Sequence, residues 1–164
     1  MKATSQIPAR RKTGAPRASR PVDARPSREE ELNVLRGQVE AIHKSQAVLE
    51  LELDGTIVRA NENFLKAVGY TETEVAGQNH SFLVDSVRRE SADYGQLWSN
   101  LSRGLTQSGE YRLVGQAGRE CWFQFTYHPI PGSDGAAATV VAIGYDVSTQ
   151  QKLGMGVITL GVGL

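Results

Sequence analysis

Few residues in this chain carry reactive chemistry at a spacing that would use it. The 164 residues include three histidines and one cysteine. His43 lies in a run of helical period and His128 precedes Pro129 at the end of a strand-like run, and neither has a carboxylate or cysteine neighbour at metal-ligand spacing. Cys121 stands between Glu120 and Trp122 in an apparent strand, a setting that suggests packing more than redox chemistry, and a single cysteine permits no internal disulfide. No nucleophile has a base at a recognisable distance, no glycine loop is built to cradle phosphate, and no HExxH pair is present, so an enzyme is not expected. What remains is recognition chemistry. His80 supplies an imidazole that can ligate a metal or exchange hydrogen bonds. Asn61 and Asp146 carry short polar side chains that can bond to nearby backbone where strands end.

The elements that must hold these residues are legible from caps, periods and turns. Ser27 and Glu30 form a capping-box signature, behind which Leu32, Leu35, Val39 and Ile42 recur at spacings of 3, 4 and 3. A helix is predicted over residues 28–46. Its two heptads of a/d spacing fit either a seam with a second copy or packing on its own domain. AVLELEL, the turn Asp54-Gly55 and TIVRAN then read as a hairpin. Asn61 can cap a helix from Glu62 whose apolar face is Phe64, Leu65 and Val68 and which ends at Gly69-Tyr70, and TETEVAG gives another short turn closed by Gly77. Residues 78–90 show no clean period. In ADYGQLWSNLSRG, Tyr94, Leu97, Trp98 and Leu101 mark the longest core helix, stopped by Gly104. EYRLVG, RECWFQFTYHPI and ATVVAIGYDVS follow as three strands joined by QAG and PGSDG turns. Two strands, several helices and three strands predict an α+β fold: a five-stranded antiparallel sheet with short helices on one face, preceded by an amphipathic N-terminal helix.

Composition bounds the rest. Acidic and basic residues balance at 18 each, yet residues 1–27 carry seven Lys/Arg against one Asp, a net +6 that leaves −6 for the remainder. That basic arm is rich in Pro, Arg, Ser and Ala and has no aromatic residue, so it is expected to be a disordered, solvated tail. No apolar signal-peptide segment follows it, and no helix-turn-helix or zinc motif accompanies it to give sequence-specific nucleic-acid binding. No stretch reaches the roughly 20 apolar residues that cross a bilayer as a helix, and the cysteine usage fits a reducing cytoplasm. Domain limits follow: the tail at 1–27, the leading helix at 28–46, one domain at 47–150 and a short C-terminal tail at 151–164.

The string DGTIVRANENFLKAVGYTETEVAGQ, in this order of elements, is similar to the PAS family, whose pattern "DG.I...N..F....GY...E..G" spans the second strand and first helices. Within it the chain looks most like the PAS modules of bacterial chemotaxis and aerotaxis receptors. These have a "GQ.H" segment, matched here by Gly77, Gln78 and His80, and a Trp in the long helix, matched by Trp98. A "GE.R" strand is matched by Gly109, Glu110 and Arg112, and a "G.E.W....Y.PI" strand by Gly118, Glu120, Trp122, Tyr127, Pro129 and Ile130. The closing "DVT" is matched by Asp146, Val147 and Ser148.

The resemblance implies a cavity between sheet and helices, which Asn61, Phe64, His80, Phe82, Trp98, Trp122 and Tyr145 would line; aromatic walls with a few polar anchors suit a planar ligand. Aerotaxis members hold flavin adenine dinucleotide (FAD) there and other chemoreceptor modules haem b, for which His80 would be the iron ligand, while many PAS modules hold nothing. Residues 83–89, LVDSVRR, lack the Arg-His-Pro of the flavin-binding aerotaxis members, and NHSFLV stands where the light-sensing branch has its reactive cysteine. In PAS receptors the segment leaving the last strand conveys the signal, which would make Asp146 a transmission residue; by its local sequence it is a turn-forming Asp. The function implied is a redox, oxygen or small-ligand sensor of a chemotaxis-type pathway, expected as a homodimer working through its terminal helices and chemotaxis signalling proteins. The alternative is a cofactor-free dimerisation module or a truncated chemoreceptor fragment, since the chain runs only through QQKLGMGVITLGVGL after Ser148-Thr149.

Overall fold

The computed structural model describes residues 25–153, so the basic arm up to residue 24 and the apolar run from 154 lie outside the described residues. Helix α1 (Arg28–Ser45) begins as its capping box dictates: the Ser27 hydroxyl accepts from the Glu30 N–H and the Glu30 carboxylate accepts from the Ser27 N–H at 2.7 Å. Strands β1 (Ala47–Glu52) and β2 (Ile57–Ala60) form the expected hairpin, with Asp54 Oδ1 accepting from the Thr56 N–H inside the turn. The helices come next as short pieces: α2 (Glu62–Val68), α3 (Glu72–Val75), a 3₁₀ turn at His80–Leu83, α4 (Ser86–Arg89) and α5 (Ala92–Ser102). Strands β3 (Gln107–Val114), β4 (Glu120–Pro131) and β5 (Ala137–Asp146) complete an antiparallel sheet in the order β2-β1-β5-β4-β3.

The parity of β4 decides which residues meet the helices. Cys121, Phe123, Phe125 and Tyr127 are buried, while Trp122, Gln124, Thr126 and His128 stand on the opposite face. On the inner face they join Leu49, Leu51, Leu113, Val140 and Ala142, and the helices add Phe64, Val68, Leu83, Leu97 and Leu101. Burying one such large apolar side chain contributes about 1.5–3 kcal/mol, so this single cluster dominates the stability of the domain. Gly144 pairs with Phe125 where β5 runs beside β4, and a Cβ there would collide with the Gln124 carbonyl. Gly55 combines φ +88° with a position where a Cβ would lie 3.2 Å from the Trp98 ring, which ties the hairpin turn to α5.

Two parts differ from the sequence reading. The aperiodic stretch 78–90 holds the 3₁₀ turn and α4, each set by its own cap, with Asn79 accepting from the Ser81 N–H and Asp85 from the Arg88 N–H. Residues 148–153 are helical, so the described part of the C-terminal tail begins in a helix, whose Gln151 donates to Glu110 on β3.

Candidate functional site

His80 is the buried polar side chain of the core, with 2 % of its surface exposed. Its backbone is held by the hairpin, since the His80 N–H donates to the Gly55 carbonyl at 2.7 Å, and the bridge Thr56–Asn79 adjoins it. Its ring has two partners from distant parts of the chain. Nδ1 lies 3.1 Å from the Tyr94 hydroxyl on α5, and Nε2 lies 3.1 Å from the Tyr127 hydroxyl on β4. Trp98 meets the imidazole edge-on at 5.5 Å and Tyr127 does so at 5.9 Å, while Tyr94 stacks at 6.0 Å. The 3₁₀ turn, α5 and the centre of the sheet are thus joined by one imidazole.

The electrostatics follow from burial. Desolvation lowers the His80 pKa from 6.5 to about 4, so the ring is neutral at physiological pH. Burial raises the Tyr127 phenol well above its ordinary value and raises that of Tyr94 against a smaller lowering by the Trp98 side chain, so both hydroxyls keep their protons. A neutral imidazole has one donor and one acceptor nitrogen, so one tyrosine donates to it and the other accepts. Tyr127 is fully buried and its hydroxyl makes no other hydrogen bond among the described residues, whereas Tyr94 is only partly buried. If Tyr127 accepted, its own proton would be stranded in the core, at a cost of about 1–3 kcal/mol. Tyr127 therefore donates to Nε2, and Nδ1–H donates to Tyr94, whose own proton is not used on the imidazole.

The residues expected to line a common cavity are not all brought together. Phe64, His80 and Trp98 lie on the helix side of the sheet. Asn61 is a knot rather than a wall: Oδ1 accepts from the Val48 N–H (2.9 Å) and the Phe64 N–H (3.1 Å), and Nδ2 donates to the carbonyls of His43 (3.1 Å) and Gln46 (2.7 Å). Phe82 turns outward against Tyr70. Trp122 and Tyr145 are corrections of placement, because strand parity puts both on the outer face, where the Trp122 indole donates to Glu120 and the Tyr145 hydroxyl accepts from Gln46. Asp146 caps the way out of the sheet by accepting from the Ser148 N–H and hydroxyl, while the Ser148 Oγ accepts from the Trp122 N–H at 2.9 Å. Tyr94 and Tyr127 were missed as site residues. The signals were present: Tyr94 stands four residues before Trp98 on one helix, and Tyr127 shares the parity of Phe123 and Phe125.

This donor set does not fit haem or flavin as arranged. Both imidazole nitrogens are engaged by tyrosines, so neither is free for iron. Phe64, Phe123, Phe125 and Tyr127 touch ring to ring at centroid distances of 4.7–6.2 Å, so a porphyrin or tricyclic plane enters only by displacing them. Among the described residues no cluster of His, Cys, Asp and Glu could hold a metal ion, and no helix is long and apolar enough to cross a membrane.

Known proteins agree with this architecture. The biofilm dispersion protein BdlA of Pseudomonas aeruginosa is 33 % identical over 118 residues, which cover 72 % of this chain and 28 % of that protein. The chain thus spans little more than a quarter of the length of that relative. The crystal structure of a PAS domain from Colwellia psychrerythraea superposes with a TM-score of 0.62 at 20 % identity, covering 71 % of this chain and 98 % of the other. The Rhodobacter sphaeroides LOV protein gives 0.56 at 20 % identity, covering 68 % of each chain. The PAS domain profile matches residues 45–149, from the end of α1 to just past the last strand. This chain belongs to the PAS domain family.

Proposed function

We propose that this chain is a sensory module that converts an event at the His80 cluster into a change at its two terminal helices, in a chemotaxis-type pathway of the cytoplasm. The observation that carries this reading is the continuity of hydrogen bonds from the imidazole outward. Tyr127 lies on β4, and the other end of that strand grips the exit, with the Val147 N–H donating to the Trp122 carbonyl at 2.7 Å and the Trp122 N–H donating to Ser148. The Asn61 knot gives the same grip on the end of α1. A shift of the ring changes the tilt of α5 against β4, and both terminal helices hang on the elements that flank that contact.

A second copy of the chain is the partner that α1 fits, because Leu32, Leu35, Val39 and Ile42 form an apolar stripe that stays exposed in the monomer. Recognition of a small polar ligand suits the donor set better than haem b or FAD, for the reasons of ring packing and occupied nitrogens given above.

Amide hydrogen exchange tests the coupling. His80→Gln should keep the fold while changing protection at residues 147–151 and at Gln46, both distant in sequence from the substitution. Wild-type protection at those amides, with altered protection confined to residues 79–98, would sink the coupling.

A further inference from the structure

A cleft of about 330 Å³ opens between α5 and the edge strand β3, at the small end of the roughly 300–1,000 Å³ of small-molecule sites. Its lining includes Arg88, Asp93, Tyr94, Gln107 and the β3 segment Gly109–Tyr111. Charges of both signs face this space without neutralising each other. Arg88 makes no ion pair within 4 Å among the described residues and lies 5.8 Å over the Tyr111 ring, and Asp93 has no ion-pair partner there either. Because β3 is the last strand of the sheet, its outer edge offers backbone N–H and C=O groups that no strand pairs. The inner wall includes Tyr94, whose hydroxyl reaches His80 at 3.1 Å.

We infer that this cleft binds a small zwitterion of the α-amino-acid class. Its carboxylate meets Arg88 and the Tyr94 O–H, and its ammonium meets Asp93 and the carbonyls of the β3 edge. Opposite charges held apart in one cleft are complementary to a ligand that carries both, and a singly charged ligand leaves one of them unmatched. The site is distinct from the ring-packed space behind His80, yet it shares Tyr94 with it. A carboxylate accepting the Tyr94 proton polarises the hydroxyl that accepts from Nδ1–H, so occupancy is felt along Tyr94, His80 and Tyr127. Glu110, in the same lining, accepts from Gln151 at 2.7 Å, which places the cleft one residue from the C-terminal helical segment. The inference rests on the sensory reading only for what binding accomplishes.

The test is calorimetric titration of the full chain with each of the common L-amino acids, with propionate and propylamine as the singly charged halves. At least one amino acid should bind saturably, both halves at least tenfold more weakly, and Arg88→Ala or Asp93→Asn should each weaken binding about tenfold, the loss expected for one charged hydrogen-bond partner. Both substitutions lie outside the core, and unchanged melting temperatures establish that the variants are folded. The ¹⁵N shift of His80 Nδ1 should move on titration in the wild type. Absence of binding by every amino acid, or affinity unaltered in both variants, overturns the inference. The sensory reading is judged separately: exchange coupling without amino-acid binding rejects this ligand alone, and binding without coupling rejects the relay alone.

Discussion

At the scale of the residue, His80 is constrained by two hydroxyls and by its burial. The folded chain keeps the ring neutral down to about pH 4, whereas the unfolded chain takes up the proton near 6.5, so between those values the unfolded state binds more protons. The associated stability is therefore fully present above 6.5, declines as the pH falls toward 4, and declines no further below that. The window spans about 3 kcal/mol at most, at 1.36 kcal/mol for each pH unit. Carboxylates titrate over part of this range too, so the informative quantity is a difference. Urea unfolding at pH 7, 5.5 and 4 should show the wild type losing more stability than His80→Gln on acidification, although the variant starts lower at pH 7 because Gln cannot bridge both tyrosines. Parallel acid limbs would mean that His80 is not held neutral by burial.

At the scale of the element, the short helices are held less by their own length than by what fastens their ends. Asn61 shows this best, since one amide side chain caps α2, anchors the start of β1 and closes the end of α1. Asn61→Ala should cost about 2–3 kcal/mol, more than an ordinary cap, because it also strips buried backbone groups of their partners. Neighbouring Asn63 also donates to the His43 and Gln46 carbonyls and retains part of the α1 contact, so the double variant with Asn63→Ala should release α1 in limited proteolysis while the single variant does not. Equal cleavage of both would place the grip elsewhere. The cap at Asn61 was legible because Asn before an amphipathic run is a local signal, and the hairpin was legible from Asp54-Gly55 in the same way. Residues 78–90 were not, because a 3₁₀ turn and a single helical turn are too short to show a period. The site was half legible for a related reason. His80 stood out by resemblance, but its partners are 14 and 47 residues away, and β4 carries aromatic residues on both parities at Trp122 and Phe123. Counting the whole strand resolves the parity, since Gln124, Thr126 and His128 all fall on the face of Trp122.

At the scale of the whole molecule, α1 carries the longest run of exposed apolar side chains among the described residues, and it adjoins apolar residues on the outer face of the sheet. Leu35 and Val39 are 55 % and 53 % exposed, and no residue of α1 is buried. The last turns of α1 leave a shallow groove against the outer sheet face, lined by Val39, Ile42, Val48, Val141 and Ile143, so one apolar surface runs from helix to sheet. The helix spans 18 residues, short of the three or four heptads that sustain a coiled coil alone, so pairing through α1 must also draw on that groove. Replacing Leu35 and Val39 by Asp tests this with little risk to the fold, because both side chains are exposed in the monomer. Sedimentation equilibrium at micromolar concentration should show a dimer for the wild type and a monomer for the double variant, with melting temperatures that differ only by the loss of association. Two burials of a Leu or Val side chain are worth about 3–6 kcal/mol, enough to move a dissociation constant by two orders of magnitude or more, so the effect cannot hide in the scatter of the method. A variant that still sediments as the wild type does would assign α1 to another partner and remove the second copy from the signalling unit.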